Sequence, residues 1–320
     1  MNEAVKDLVV VGAGPSALAA AVYTTREDID TTLYEKGTIG GLAAITDKVD
    51  NYPGFPDGVE GLKLASQLEK QAERFGAKVE FGEASALRIE DGVKILTIDG
   101  QDVKAKAVLV ATGSDYKKIG VPGEAAYYGR GVHYCATCDG AFYRDKKLVV
   151  IGGGNSAIQE TMFLTRFATH IDLLVRSTIK ASEVLQKELQ EFIDNGKVSV
   201  HLGTVTTEIL ANENGVNQVT ALTDGQPVSF DTDGVFVFVG LVPNTQFLAD
   251  SGVELDEVGL IKTNDKLETS VEGVFASGDV RHGATMQIAS AVGEGATAAL
   301  SIREYLDELA RVPEKTALAA

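Results

Sequence analysis

Only two cysteines and four histidines occur in the 320 residues of this chain. The histidines (His133, His170, His201 and His282) are scattered, and only His133 lies near a cysteine. A structural zinc site takes four ligands, usually two cysteine pairs or one pair with two histidines, so the sequence argues against a metal centre. No apolar run reaches the length of a membrane span. The N-terminus has no basic region followed by an apolar stretch and a cleavage site, since its apolar start runs straight into Gly12-Ala13-Gly14. Two thiols in a reactive spacing are not a disulfide framework, and both features point to the cytoplasm. Positive charge is in deficit, with 29 Lys and Arg against 46 Asp and Glu and a formal net charge of -17. That balance disfavours nucleic acid and anionic membrane as partners. A hydrophobic content of 44% is that of a globular protein, and the length predicts two domains.

The two cysteines stand three positions apart in Cys135-Ala136-Thr137-Cys138-Asp139-Gly140. Thiols at that spacing can close a disulfide within one turn, and their mutual influence lowers a thiol's pKa. A purely structural bridge there closes a tiny loop and constrains the unfolded chain little. Two inert buried thiols are the bland alternative, but Asp139 and Gly140 argue for a turn rather than a core strand. Asp139 is placed to pass a proton to or from a leaving thiolate. The pair reads as a redox dithiol in need of an electron source.

Two nucleotide-binding patterns offer one. Leu8–Val11 is a buried-strand pattern, followed by Gly12-Ala13-Gly14-Pro15-Ser16-Ala17, a helical run to about Thr25, and a strand from Thr31 to Tyr34 that ends at Glu35. Gly12 permits the tight turn, Gly14 lets backbone approach a pyrophosphate, and Glu35 is placed to accept a hydrogen bond from a ribose 2'-hydroxyl. The pattern recurs in Lys147–Ile151, Gly152-Gly153-Gly154-Asn155-Ser156-Ala157, a helix to about Phe167 and a strand from Ile171 to Val175. No acid follows the second time. Arg176 and Lys180 follow instead, and cations attract the 2'-phosphate that a carboxylate repels. The first unit therefore reads as a site for FAD and the second as a site for NADPH. An exposed basic loop without a ligand is the alternative for Arg176 and Lys180.

Val108–Gly113, Gly234–Gly240 and Gly273–Val280 read as further strands running into small-residue turns, with a helix from Gln287 to Leu300. Asp279 is placed to hold a ribityl hydroxyl. The reading is an α/β chain of two Rossmann-like, three-layer ββα nucleotide-binding domains, the second inserted in the first. Residues 1–116 with 245–320 form the FAD domain, and 117–244 form the NAD(P)H domain that carries the cysteines. The tail after Pro313 holds no cysteine and is expected to fray.

These motifs resemble the low-molecular-weight thioredoxin reductases. The resemblance runs from about Asp7 to Leu306, and Asn51-Tyr52-Pro53-Gly54-Phe55 and Val242-Pro243-Asn244-Thr245 are similar to further family signatures. It implies a homodimeric flavoenzyme. FAD contacts would come from Gly12, Gly14, Pro15, Ser16, Glu35, Lys36, Gly40, Gly41, Asn51, Ala111, Thr112, Gly113, Gly278, Asp279, Gln287 and Ile288. NADPH contacts would come from Gly152, Gly154, Asn155, Ser156, Ala157, Arg176, Lys180 and Gly240. Cys138 would face the flavin, Cys135 would attack the disulfide of thioredoxin, and Asp139 would be the acid–base residue. In the family the inner domain rotates, because the cysteines and the nicotinamide cannot occupy the flavin face together.

The chain departs from the family pattern at several positions. Val175-Arg176-Ser177 and Lys180 replace a run with three arginines, so one guanidinium is lost and another becomes an ammonium, which forms no bidentate fork. Asn155 replaces an Asp, Leu42 a Gln, Leu241 a His and Met286 an Arg. NADH or ferredoxin as donor, or a different small redox protein as acceptor, is therefore the alternative enzymatic reading. The helix from Gln287 is also similar to that of the flavoprotein of alkyl hydroperoxide reductase. A nucleotide sensor with a regulatory disulfide is the reading from another class.

Overall fold

A computed structural model of the chain describes residues 5–46, 49, 51–213 and 215–318, with side chains in the last helix described through Arg311. It contains two compact units, residues 1–115 with 242–320 and residues 116–241. The crossings fall one and three residues earlier than the sequence reading put them, because both lie inside short paired strands.

The first unit opens with strand β1 (Lys6–Val11), helix α1 (Pro15–Thr25) and strand β2 (Thr31–Glu35). Leu8, Val9 and Val10 are fully buried, as expected for a central parallel strand covered on both faces. Pro15 at the first helical position suits its missing N–H. Two helices follow, the short α2 (Gly41–Ala44) and the amphipathic α3 (Gly61–Arg74). Strands β3 (Lys78–Phe81), β4 (Ala84–Glu90), β5 (Val93–Ile98) and β6 (Gln101–Val110) complete this half, and β7 (Ser114–Tyr116) carries the first crossing.

The second unit repeats the plan. It runs through β8 (Val132–His133), α4 (Ala136–Asp139), a 3-10 turn (Gly140–Tyr143), β9 (Lys147–Ile151), α5 (Asn155–Leu164), β10 (His170–Leu174), α6 (Glu183–Asp194) and β11 (Val198–His201). An antiparallel meander, β12 (Thr204–Asn212), β13 (Gly215–Thr223) and β14 (Gln226–Asp231), precedes β15 (Gly234–Val237). The parallel sheet has the order β11-β10-β9-β15-β8. The second glycine-turn helix ends at Leu164, three residues short of the expected Phe167, and β15 ends at Val237, so Gly240 lies in the turn beyond it.

The chain returns through β16 (Leu241–Pro243), which pairs with β7, to β17 (Val274–Ala276) and helix α7 (Ile288–Leu318). The first unit's sheet has the order β3-β2-β1-β6, and β6 is shared. Its last residues pair with β17 in parallel, and its first residues pair with β5 antiparallel, so the β4-β5 meander peels off as a separate layer. Helix α7 packs on α1, and a Cβ at Gly295 would strike the Ser16 carbonyl. The helix runs past Pro313, where fraying was expected, since one missing N–H need not end a helix. Ala319 and Ala320 lie outside the described residues. Among the described residues no helix is long and apolar enough to cross a membrane. The structure is thus α/β with two Rossmann-like units, the second inserted in the first.

Candidate active site

Cys135 and Cys138 form a disulfide. The expected turn is one turn of helix, α4, with Cys135 as its N-cap. The Cys138 amide donates to Cys135 Sγ at 3.2 Å, and the Asp139 amide donates to the Cys135 carbonyl at 3.1 Å. A backbone N–H aimed at Cys135 Sγ favours the thiolate there once the disulfide is reduced. Both cysteines are half-buried, so small reactants reach them.

Two residues that sequence reasoning passed over stand beside the pair. His133 Nδ1 lies 3.2 Å from Asp139 Oδ2, and His133 Nε2 is hydrogen-bonded with the Tyr143 hydroxyl at 2.7 Å. Burial, then the carboxylates of Asp139 and Asp233, push the Tyr143 phenol well above its usual range, so it stays protonated. Spacing gave no signal for this network. The one hint was a histidine two residues before a reactive cysteine.

The first glycine turn is held by its own strands. Gly12 has φ of 101°, and a Cβ there would lie 2.5 Å from the Ala111 carbonyl oxygen, so only glycine fits. Around Gly14 the space is open, and no side chain caps the start of α1. The first-turn N–H groups are therefore free for an anion. Glu35 accepts from the Ala13 amide at 2.8 Å through one oxygen and from the Gly37 amide at 2.8 Å through the other. A pocket of about 290 Å³ is lined by Gly12, Glu35, Lys36, Thr112, Asn244 and neighbouring residues. Lys36 there stands 3.9 Å from Glu83.

Several more of the expected positions gather around this turn. Gly41 faces Gly14 at Cβ-contact distance, and the Gly40 amide bonds the Ala13 carbonyl at 2.8 Å. Ser16 Oγ bonds Ser277 Oγ at 2.6 Å, and Gly278 packs on Ser16. Asn51 donates to the Gln287 side chain at 3.0 Å, just before Ile288 opens α7. Ala111 continues from β6, and its amide bonds the Val11 carbonyl at 2.9 Å. Thr112 donates to the Asn244 carbonyl, and Gly113 follows with φ of 66°. Burial, then Glu294, pushes the Asp279 carboxyl up to about 6. Glu294 itself is bound by Arg281 and by the Gly278 amide. An open anion cradle, a carboxylate at the strand end and a half-buried carboxyl suited to a hydroxyl donor fit a flavin dinucleotide.

The second turn has the same backbone and different chemistry. Gly152 has φ of 151°, and its Cβ would strike the Phe238 carbonyl. Gly154 is open, α5 starts without a side-chain cap, Ser156 is exposed and Ala157 is buried. The Asn155 side chain accepts from the Ser182 amide at 2.9 Å, and the Lys180 amide bonds the Gly153 carbonyl at 2.7 Å. Arg176 and Lys180 are exposed at the strand end, where no acid stands. These residues fit a nicotinamide dinucleotide.

Residues 6–295 match the family described as pyridine nucleotide-disulphide oxidoreductase. The thioredoxin reductase of Bacillus subtilis is 41% identical over 312 residues, which cover 96% of this chain and 97% of that protein. The thioredoxin reductase of Listeria innocua is 37% identical over 319 residues, covering 99% and 98%. The crystal structure of thioredoxin reductase from Streptococcus pyogenes superposes with a TM-score of 0.90 at 36% identity, covering 96% of this chain and 100% of that one. The chain therefore belongs to the pyridine nucleotide-disulphide oxidoreductase family and, within it, to the low-molecular-weight thioredoxin reductases.

Proposed function

We propose that this protein reduces the disulfide of thioredoxin at the expense of NADPH. The observation that carries the reading is the Cys135–Cys138 disulfide with Asp139 beside it, in a chain whose two glycine turns end in opposite charge. Bound FAD and NADPH would supply the two-electron chemistry that reduces the disulfide. The first turn, with Glu35, Thr112, Asp279 and Gln287, would hold the flavin dinucleotide, and the second, with Arg176 and Lys180, the nicotinamide dinucleotide.

The exchange itself belongs to the chain's own groups. Reduction leaves two sulfurs carrying two electrons and two protons more than the disulfide. The Cys135 thiolate, favoured by the Cys138 N–H, attacks one sulfur of the partner disulfide. A Cys135–partner bond forms, the partner's disulfide breaks, and the leaving thiolate takes, through Asp139, the proton that Cys135 gave up on ionising. Cys138 then loses its proton to Asp139, and its thiolate attacks Cys135 Sγ. The Cys135–Cys138 bond re-forms, and Asp139 gives the proton to the second leaving thiolate. The partner gains two electrons and two protons, and the centre loses the same.

Family resemblance also supports a homodimer acting in the cytoplasm, and the net charge of -17 disfavours nucleic acid and anionic membrane as partners. A second reading, with NADH as an effective donor, is favoured by the strand end that carries one guanidinium and one ammonium.

Stopped-flow mixing of the FAD-loaded enzyme with NADPH tests the donor. NADPH should bleach the flavin faster than NADH, and failure of NADPH to bleach a chemically reducible flavin overturns the assignment. Cys135→Ser should keep flavin reduction and lose thioredoxin reduction by about a thousand-fold or more. Intact turnover in that variant would sink the dithiol mechanism.

A further inference from the structure

The Asp139 carboxyl has to alternate between charged and neutral forms if it serves two successive proton transfers. A half-buried carboxyl pays a desolvation cost in one form unless a neighbour satisfies both. His133 is that neighbour. Its side chain is 7% exposed, its ring stacks on Phe236 of β15 at 5.2 Å, and the edge of Tyr143 closes on it at 5.3 Å. In this packing its two nitrogens face different partners. Nε2 meets the Tyr143 hydroxyl and Nδ1 faces Asp139 Oδ2.

We propose that His133 is a positioning residue of the redox centre: anchored by Tyr143, it fixes the place from which the Asp139 carboxyl exchanges protons with the cysteine pair. The inference rests on Asp139 being the acid–base group. When Asp139 is ionised, Tyr143 donates to Nε2 and Nδ1–H faces the carboxylate. When Asp139 carries a proton on Oδ1, its Oδ2 still accepts from Nδ1–H, and Tyr143 still donates to Nε2. The same three groups satisfy both states with no change of tautomer and no new charge in the site. The 3.2 Å separation is one that a small rotation of the carboxyl closes to a hydrogen bond, as catalytic contacts commonly tighten on reaction. The titratable groups facing this network are Asp139 from α4, Tyr143 from the 3-10 turn and Asp233, which acts on Tyr143 from the loop before β15. Phe236 brings no charge.

A histidine that merely packs would stabilise α4 and do nothing through Asp139. A double-mutant cycle separates the two roles. In the FAD-loaded enzyme, with NADPH and a bacterial thioredoxin, Asp139→Asn should slow thioredoxin reduction by about a hundred-fold. His133→Phe keeps the ring packing and should slow it about ten-fold in the native background and less than about two-fold beside Asp139→Asn. Flavin bleaching by NADPH should be unchanged. Removing the imidazole N–H favours the neutral carboxyl, so the pH of half-maximal rate should rise by about one unit in His133→Phe. His133→Gln, which keeps a donor and an acceptor, should recover most of the rate. Tyr143→Phe should show the same coupling to Asp139→Asn at a smaller size, and these two variants carry the test if His133→Phe loses its flavin. Equal losses from His133→Phe in both backgrounds, with an unmoved pH profile, overturn the proposal. An Asp139→Asn enzyme at full rate overturns the acid–base reading of Asp139 itself, whatever His133→Phe does.

Discussion

The two glycine turns share a backbone and differ in charge. In each, the first glycine's amide bonds the strand that follows the turn's helix: Gly12 to the Tyr34 carbonyl and Gly152 to that of Leu174. In each, the middle residue's carbonyl receives an amide from the loop beyond that strand, Gly40 to Ala13 and Lys180 to Gly153. Each first glycine would strike a carbonyl from a neighbouring strand if it had a side chain. Around this common frame the first turn gathers the carboxyls of Glu35 and Asp279, and the second has Arg176 and Lys180 at its rim. Backbone geometry builds the same cradle twice, and the proposed choice between the two adenosines rests on the side chains at the strand ends.

The largest expected effect breaks one cradle at a time. Gly12→Ala puts a Cβ 2.5 Å from a backbone oxygen at a φ of 101°, where neither can retreat. The cost is about 3 kcal/mol or more, enough to lower flavin affinity over a hundred-fold. Gly152→Ala should weaken nicotinamide binding as strongly and leave the flavin spectrum in place. Equilibrium dialysis of both variants against FAD and NADPH is the check. Loss of FAD from Gly152→Ala alone would reverse the assignment.

Asp279 tests whether the acidic turn is built for a ligand rather than for stability. Its carboxyl titrates near about 6 when folded, against 3.8 unperturbed. A raised acid stabilises the fold relative to its ionised state only while it is protonated. That contribution is complete below about 3.8 and is lost as pH rises through about 6. Asp279→Asn should therefore make the flavin-free protein more stable above pH 6, by about 3 kcal/mol at most, and change little below pH 4. It should also hold FAD less tightly. Thermal unfolding across this pH range, with and without FAD, measures both. A variant that is less stable at pH 7.5 without ligand would show that Asp279 serves the fold.

Legibility in the sequence followed the range of the forces. The glycine turns, the strands β1 and β9 and the Cys135–Cys138 pair could be read because each depends on residues within one turn of one another. The pairing of β6 with β17 could not, since partners more than a hundred residues apart leave no local trace, whereas its pairing with β5 is a local hairpin. Nor could the second role of Glu35, which holds the Ala13 amide as well as facing the pocket. His133 and Tyr143 both pack on Phe236, about a hundred residues further on, and that contact leaves no local trace. The crossings lie inside the β7–β16 pairing, one and three residues before the boundaries at 116 and 244, because a pairing between distant short strands leaves no local mark.

The smallest expected effect sharpens the comparison most, because it concerns the charge difference alone. Arg176 and Lys180 are exposed, so water and salt screen whatever they attract. A single exposed cation facing a phosphate contributes about 1 kcal/mol, and an ammonium adds no second, parallel bond. Arg176→Ala should lower the NADPH-to-NADH ratio of kcat/KM about five-fold, and Lys180→Ala should lower it less. The ratio of the native enzyme should itself fall between 50 mM and 300 mM salt, about as far as it falls in Arg176→Ala. Arg176→Asp restores a carboxylate near the end of the strand, as in the first turn. It should favour NADH without disturbing FAD, since the backbone cradle is unchanged. If these variants leave the ratio untouched while Gly152→Ala still loses the nicotinamide, the second turn binds through its backbone alone. The charge difference between the two turns would then have no part in choosing the donor.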